Sequence, residues 1–158
     1  FFLNDEMDDF TSQPGKPNMF GLIQGEANAI APGKRMLSAM SPTIVLDPAK
    51  SLFMVLGARG GPRIITSTTQ VILNVIEHKM SLADAMSAPR IHHQALPDTL
   101  KIDDGGFSPA VTAELQRMGY ALEPQGYIGG SVVAIRRLSR GYEGMDDPRG
   151  YFGGAVGY

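Results

Sequence analysis

The chain contains no cysteine. Disulfides, thiolate metal sites and a cysteine nucleophile are thereby excluded. The compartment stays open, because an oxidising space permits disulfides without requiring them. No apolar run approaches the roughly 20 residues of a membrane-spanning helix. Neither sign of charge dominates: 14 Lys and Arg against 16 Asp and Glu leave a formal net charge of -2. That balance argues against nucleic-acid binding and against a basic membrane-surface module. Charged residues make up only 19% and hydrophobic residues 43%, which argues against intrinsic disorder. A charged leader followed by a long apolar stretch is also missing, and Phe1 is not an initiator Met. Phe1-Phe2-Leu3 reads as the tail of a buried strand, so the chain is expected to be cut from a longer polypeptide or to work in a larger assembly.

What is present points to a turn-rich mixed fold. A length of 158 residues fits one domain or a large piece of one, and a domain of that size buries roughly two-thirds of its unfolded-chain surface. Glycine (19) and proline (11) exceed the average joint usage of about 12%. Pro14, Gly15, Pro17, Gly21, Gly25, Pro32 and Gly33 mark residues 11–35 as a long loop, and such loops are usually functional or disordered. Thr43 to Leu46 and Leu52 to Leu56 read as two strands joined by Asp47-Pro48-Ala49-Lys50, a hairpin over 43–56. The second strand is apolar throughout and is expected to be buried on both faces. Ile64, Ile65, Thr68, Val71, Ile72, Val75 and Ile76 recur at helical spacing, giving a helix over 62–78 with Pro62 as its first residue. A short helix starts at the capping-box pattern of Ser81 to Asp84 and is limited by Pro89. Thr99 to Ile102 alternates as a strand, and Asp103 to Gly106 is a turn. Ser108-Pro109 opens a third helix that Gly119 stops, and residues 130–135 form the last clear strand. No internal repeat or low-complexity segment is found. The fold class is α+β, with antiparallel hairpins and segregated helices.

Four places carry possible chemistry. The sequence strand, Gly60-Gly61, helix lets the backbone approach a ligand and presents amides at a helix N-terminus, which suits an oxyanion hole or an anion site. The alternative is a tight strand-to-helix turn that needs glycine, and a phosphate loop is excluded because no Gly-Lys-Ser/Thr follows. Asp5, Glu6, Asp8 and Asp9 suit a cationic amine, or are a solvated acidic loop; their spacing lacks the alternating ligands of an EF-hand. Ser38 lacks the Gly-x-Ser-x-Gly frame of a nucleophile elbow, so its default role is local backbone bonding. His92 and His93 are adjacent, a spacing that favours a structural role over zinc. No metal or other cofactor is implied.

Five segments, in order and spacing, resemble the small subunit of γ-glutamyltransferases. They are Asn4 to Phe10, Pro14 to Asn18, Lys34 to Val45, Gly60 to Ile65, and Ala88 to Gln94, with Asp146-Asp147-Pro148-Arg149 again similar near the end. The resemblance implies an N-terminal-nucleophile hydrolase fold, an αββα sandwich, with residues 1–158 as a partial small-subunit domain. It implies a precursor that cleaves itself, so that a new N-terminal Thr attacks the γ-amide of a glutathione-like substrate and its own amine serves as base. A γ-glutamyl ester then passes to water or to an amino acid. The implied partners are the large subunit of the same precursor and a γ-glutamyl small molecule, and the implied location is periplasmic or extracellular. By the resemblance, Glu6 and Asp9 hold the substrate ammonium, Ser38 donates to its carboxylate, and Gly60 and Gly61 supply the oxyanion amides. Residues 14–25 match a lid loop, with Phe20 where the family often places an aromatic gate.

The chain also departs from the family pattern. Neither Thr11 nor Thr43 matches the context of the nucleophile, and the strands that carry it are absent, as is the large-subunit Arg that pairs with the substrate carboxylate. Alone, the chain is therefore expected to be inactive. Ala39 stands where a second Ser is usual, which loses a donor or marks a related acylase of the glutaryl or cephalosporin type. Asp5 replaces a frequent Asn, and Ala58-Arg59 a frequent Ser-Pro. A non-catalytic fragment or interaction domain is the remaining alternative.

Overall fold

The computed structural model describes residues 6–150 and 153–157, with Glu6 described in its backbone alone. The strand expected at Phe1 to Leu3 lies outside the described residues. Four strands form the main sheet, in the order β1 (Thr43–Leu46), β2 (Leu52–Arg59), β6 (Ser131–Arg137), β7 (Tyr142–Asp146), each antiparallel to its neighbour. Helices α1 (Arg63–Ile76) and α2 (Leu82–Ser87) pack on one face of it. A smaller sheet holds β3 (Ile91–His92), β4 (Leu100–Asp103) and β5 (Leu122–Gln125), with α3 (Pro109–Arg117) between β4 and β5. Antiparallel hairpins were expected; β4 and β5 instead run parallel, because α3 returns the chain to the same end of the sheet.

The helices form where the sequence caps them. Ser81 accepts the Asp84 amide at 3.0 Å and Ser108 accepts the Val111 amide at 3.4 Å, each satisfying a first-turn donor. Gly119, at φ +99°, ends the third helical segment in a conformation that glycine adopts freely. The first helix is shorter than expected: Pro62 is its N-cap and Ile76 its last residue. One stripe of α1, with Ile64, Ser67, Thr68, Val71 and Val75, is buried. Val71 and Val75 meet Met54 and Leu56 of β2, Val132 and Ala134 of β6, and Leu82, Ala85 and Met86 of α2 in a single core. Truncating one of its large side chains to Ala would cost about 2–5 kcal/mol.

The expectation that β2 is buried on both faces is corrected. Met54 and Leu56 face the helices, but Val55 between them is 38% exposed. It lies in register with Ile44 (69%) and Ile135 (53%), and Leu46 and Val133 are exposed too. One face of the sheet is thus apolar and, among the described residues, uncovered.

A buried ionic cluster joins the segments behind the strand-to-helix turn. Arg90 pairs with Asp147 at 2.7 Å, and Arg149 pairs with Asp103 at 2.8 Å. Burial is the main cause that lowers the Arg90 pKa, and the Asp147 charge opposes it. Arg90 also donates to the Gly130 carbonyl at 2.7 Å. Removing one partner of such a pair would cost about 3–5 kcal/mol, because the other charge stays buried.

Candidate active site

β2 runs into Gly60 and Gly61, and α1 starts at Arg63. Both glycines are required. Gly60 has φ +129°, and a Cβ there would lie 2.8 Å from the Gly130 Cα. Gly61 has φ +59°, and a Cβ there would lie 2.5 Å from Cε2 and Cζ of Phe20. Among the described residues neither amide donates a hydrogen bond. Two unpaired donors at a helix N-terminus, under an aromatic ring that thins the water, can stabilise a developing oxyanion. Arg59, at the end of β2, is exposed rather than turned into this turn.

Phe20 comes from the loop over 14–25, which is built by its own backbone. The Asn18 amide donates to Leu22 and the Gly21 amide to Asn18, both at 2.9 Å, and Pro17 bridges Ile23. The Asn18 side chain accepts the Phe20 and Leu22 amides at 3.0 Å. The tip of the loop rests on Gly61 and its base is tied to Asn28. Buried Asn28 donates to the Asp9 carbonyl at 2.7 Å and to Gln24 Oε1 at 2.5 Å, and accepts the Leu37 amide at 3.0 Å. One side chain thus joins the acidic turn, the loop base and the segment next to Ser38. Sequence reading missed Asn28, since nothing local marks an Asn in a loop as a hub.

The remaining expected residues fall around this hub. Asp9 is half-buried in a short 3₁₀ turn over Glu6–Asp9, and the Glu6 side chain lies outside the described residues. Ser38 is exposed, and its Oγ accepts the Met40 amide at 3.2 Å. That bond leaves the hydroxyl proton free to be donated. A cavity of about 260 Å³ lies between the acidic turn and the loop, lined by Asp8, Thr11, Lys16, Asn18 and Gln24 among others. Gly60, Gly61, Asp9 and Ser38 do not line it.

His92 is buried and bonded on both ring nitrogens, to Thr66 and to Gln94, each at 2.9 Å. Burial is the main cause that lowers its pKa, and the nearby charges of Arg63 and Lys101 act the same way. Among the described residues no group of three His, Asp or Glu side chains could hold a metal ion, and no helix is long and apolar enough to cross a membrane.

A sheet with helices on one face, a strand that breaks at paired glycines into a helix, and a loop tip seated on that break make an α+β fold, and its likeness to solved structures places that fold in the N-terminal-nucleophile hydrolase class. Comparison with known proteins identifies the group within that class. A family profile described as gamma-glutamyltranspeptidase matches residues 1–157. A glutathione hydrolase proenzyme of Pseudomonas aeruginosa is 48% identical over 95% of this chain, which covers 27% of that protein. A crystal structure of a Helicobacter pylori gamma-glutamyltranspeptidase mutant is 49% identical with a TM-score of 0.85, covering 95% of this chain and 82% of that one. One from Pseudomonas nitroreducens, complexed with L-DON, is 48% identical with a TM-score of 0.84, covering 100% and 82%. The chain belongs to the gamma-glutamyltranspeptidase family, an enzyme family. It spans about a quarter of the length of the glutathione hydrolase proenzymes it matches.

Proposed function

We propose that this chain is the oxyanion and substrate-holding part of an enzyme that cleaves glutathione-like γ-glutamyl amides. The acyl group passes through a γ-glutamyl-Thr ester to water or to an amino acid. The observation that carries this reading is the Gly60-Gly61 turn, two unpaired amides opening a 14-residue helix under the Phe20 ring. Residues 14–25 act as a lid whose tip is Phe20. Glu6 and Asp9 accept from the substrate ammonium, and Ser38 donates to its carboxylate. The nucleophilic Thr comes from outside these residues: buried Thr11 is bonded to Gln24, and Thr43 donates to the Ser41 carbonyl. The partner is the large subunit of the same precursor. The apolar sheet face of Ile44, Val55 and Ile135 supports a large covering surface, and the proenzyme names of the relatives support a single precursor. A periplasmic or extracellular location follows from the family resemblance.

The test is release of p-nitroaniline from γ-glutamyl-p-nitroanilide by the full-length protein that carries this chain. Gly61→Ala cannot keep both the turn and the Phe20 ring in place, and kcat is expected to fall roughly 10²-fold, as when an oxyanion donor is lost. Gly105→Ala is the control, because Gly105 has φ +66° with nothing within 4 Å of an added Cβ. Equal effects of the two substitutions would mean that backbone strain alone is at work, and the oxyanion role would fall.

A second reading is a related acylase acting on glutaryl or cephalosporin-type amides. Ala39 favours it, since no side-chain donor stands beside Ser38 for an α-carboxylate. Faster turnover of glutaryl-p-nitroanilide than of the γ-glutamyl compound would select it.

A further inference from the structure

We infer that Gln94 is the positioning residue that clasps the 14–25 loop onto the Gly60-Gly61 turn; the kinetic consequence rests on the proposed lid role of that loop. The side-chain amide of Gln94 has its donors and acceptor fully assigned by its neighbours. Nε2 donates to the Phe20 carbonyl at 2.7 Å and to the Leu96 carbonyl at 3.1 Å. Both acceptors are carbonyls, so the nitrogen must face them and Oε1 must face His92 Nε2, 2.9 Å away. His92 therefore carries its proton on Nε2, and the Thr66 hydroxyl proton is shared between His92 Nδ1 at 2.9 Å and the Arg63 carbonyl at 3.2 Å.

These bonds close a circuit. Thr66 stands in the first turn of α1, just beyond Gly61. It holds His92, His92 orients Gln94, Gln94 holds the Phe20 carbonyl, and the Phe20 ring returns to Gly61. The platform under Gln94 is fixed separately. Gln70 of α1 donates to the Ile91 carbonyl and accepts the Ile91 amide, both at 2.9 Å, which pins β3 to the helix. The loop tip itself has little other support: Met19, next to Phe20, is 82% exposed. Among the described residues, the Gln94 bond is the side-chain hydrogen bond that ties the Phe20 backbone to the body of the fold.

Two substitutions test the clasp in the full-length protein. Gln94→Met keeps the length and removes the donors; Gln94→Glu keeps the shape but presents a carboxylate that cannot donate. Limited digestion with chymotrypsin, mapped by mass spectrometry, reads the Phe20-Gly21 bond directly. Both variants are expected to be cut there about tenfold faster, the scale set by losing one or two neutral hydrogen bonds, with cutting after Leu73 in α1 unchanged. KM for γ-glutamyl-p-nitroanilide is expected to rise about tenfold with kcat within about twofold, since the turn amides stay in place. Unchanged cutting at Phe20 in both variants overturns the clasp, whatever turnover does. Faster cutting that extends equally to Leu73 also overturns it, because Gln94 would then support the whole fold. Faster cutting confined to Phe20 with unaltered kinetics upholds the clasp and removes the lid role of the 14–25 loop in substrate binding.

Discussion

Asp9 and Asn28 are joined by one hydrogen bond, yet their substitutions are expected to fail differently. The bond from Asn28 ends on the Asp9 carbonyl, so Asp9→Ala leaves it intact and removes only the carboxylate. A carboxylate that holds an ammonium matters only to substrates that carry one. Asp9→Ala is therefore expected to raise KM strongly for γ-glutamyl-p-nitroanilide and hardly at all for its des-amino glutaryl analogue. Asn28→Ala strips partners from the Asp9 carbonyl, the Gln24 side chain and the Leu37 amide together. Each hydrogen bond lost contributes about 0.5–1.5 kcal/mol, and the acidic turn, the loop base and the Ser38 segment lose their common anchor. Its damage is expected to be the same for both substrates. Steady-state kinetics with the two anilides on the two variants decides the matter. Equal damage by Asp9→Ala sinks the ammonium role, and damage by Asn28→Ala confined to the γ-glutamyl compound sinks the hub.

Among the elements, β3 is only two residues long, yet it carries His92, and that gives the fold a pH dependence with a definite sign. His92 is buried and neutral, with its pKa lowered chiefly by desolvation. In the unfolded chain the ring titrates near the ordinary histidine value of about 6.5. Between that value and the lowered folded one, the unfolded state binds a proton that the folded state refuses. Stability is therefore full above about pH 6.5 and is lost as pH falls below it, by up to about 1.4 kcal/mol per pH unit. His92→Gln keeps a donor toward Gln94 and removes the titration. Urea unfolding of the full-length protein between pH 5 and 7.5 is expected to show a shallower slope for the variant, and parallel slopes would sink the assignment. The sequence revealed α1 because Ile64, Val71 and Val75 repeat at helical spacing, and it revealed the glycine turn because few backbones other than glycine follow a strand into a helix that way. It did not reveal β3, β5 or β7. Ile91–His92 is too short for periodicity, Leu122–Gln125 contains a proline, and Tyr142–Asp146 holds Gly144 and alternates polar with apolar only weakly. Asn28 and Gln94 act through bonds to segments far along the chain, and such pairings leave no local mark.

At the scale of the whole molecule, the main sheet has one apolar face that is uncovered among the described residues. Ile44, Val55 and Ile135 form one row across three strands, flanked by Leu46 and Val133. Fully burying a side chain of this kind contributes about 1.5–3 kcal/mol, so covering the patch is a large driving force for association. Contiguous apolar patches of this kind are rare on monomeric soluble proteins. The exposed residues of α1 are different in kind: Leu73 is 45% exposed but stands on the helix face turned away from the sheet. If the large subunit packs on the sheet face, a charge there is intolerable, whereas a charge on the helix is not. Val55→Lys combined with Ile135→Lys in the full-length precursor is expected to abolish recovery of a soluble, processed two-subunit enzyme. Leu73→Lys, as an exposed substitution, is expected to change stability by no more than about 0.5 kcal/mol and to leave recovery intact. Size-exclusion chromatography and denaturing gels of the three preparations measure both outcomes. Normal assembly with two lysines in the apolar row would show that the sheet face stays in water in the mature protein, and the covering subunit would have to be sought on the helix side instead.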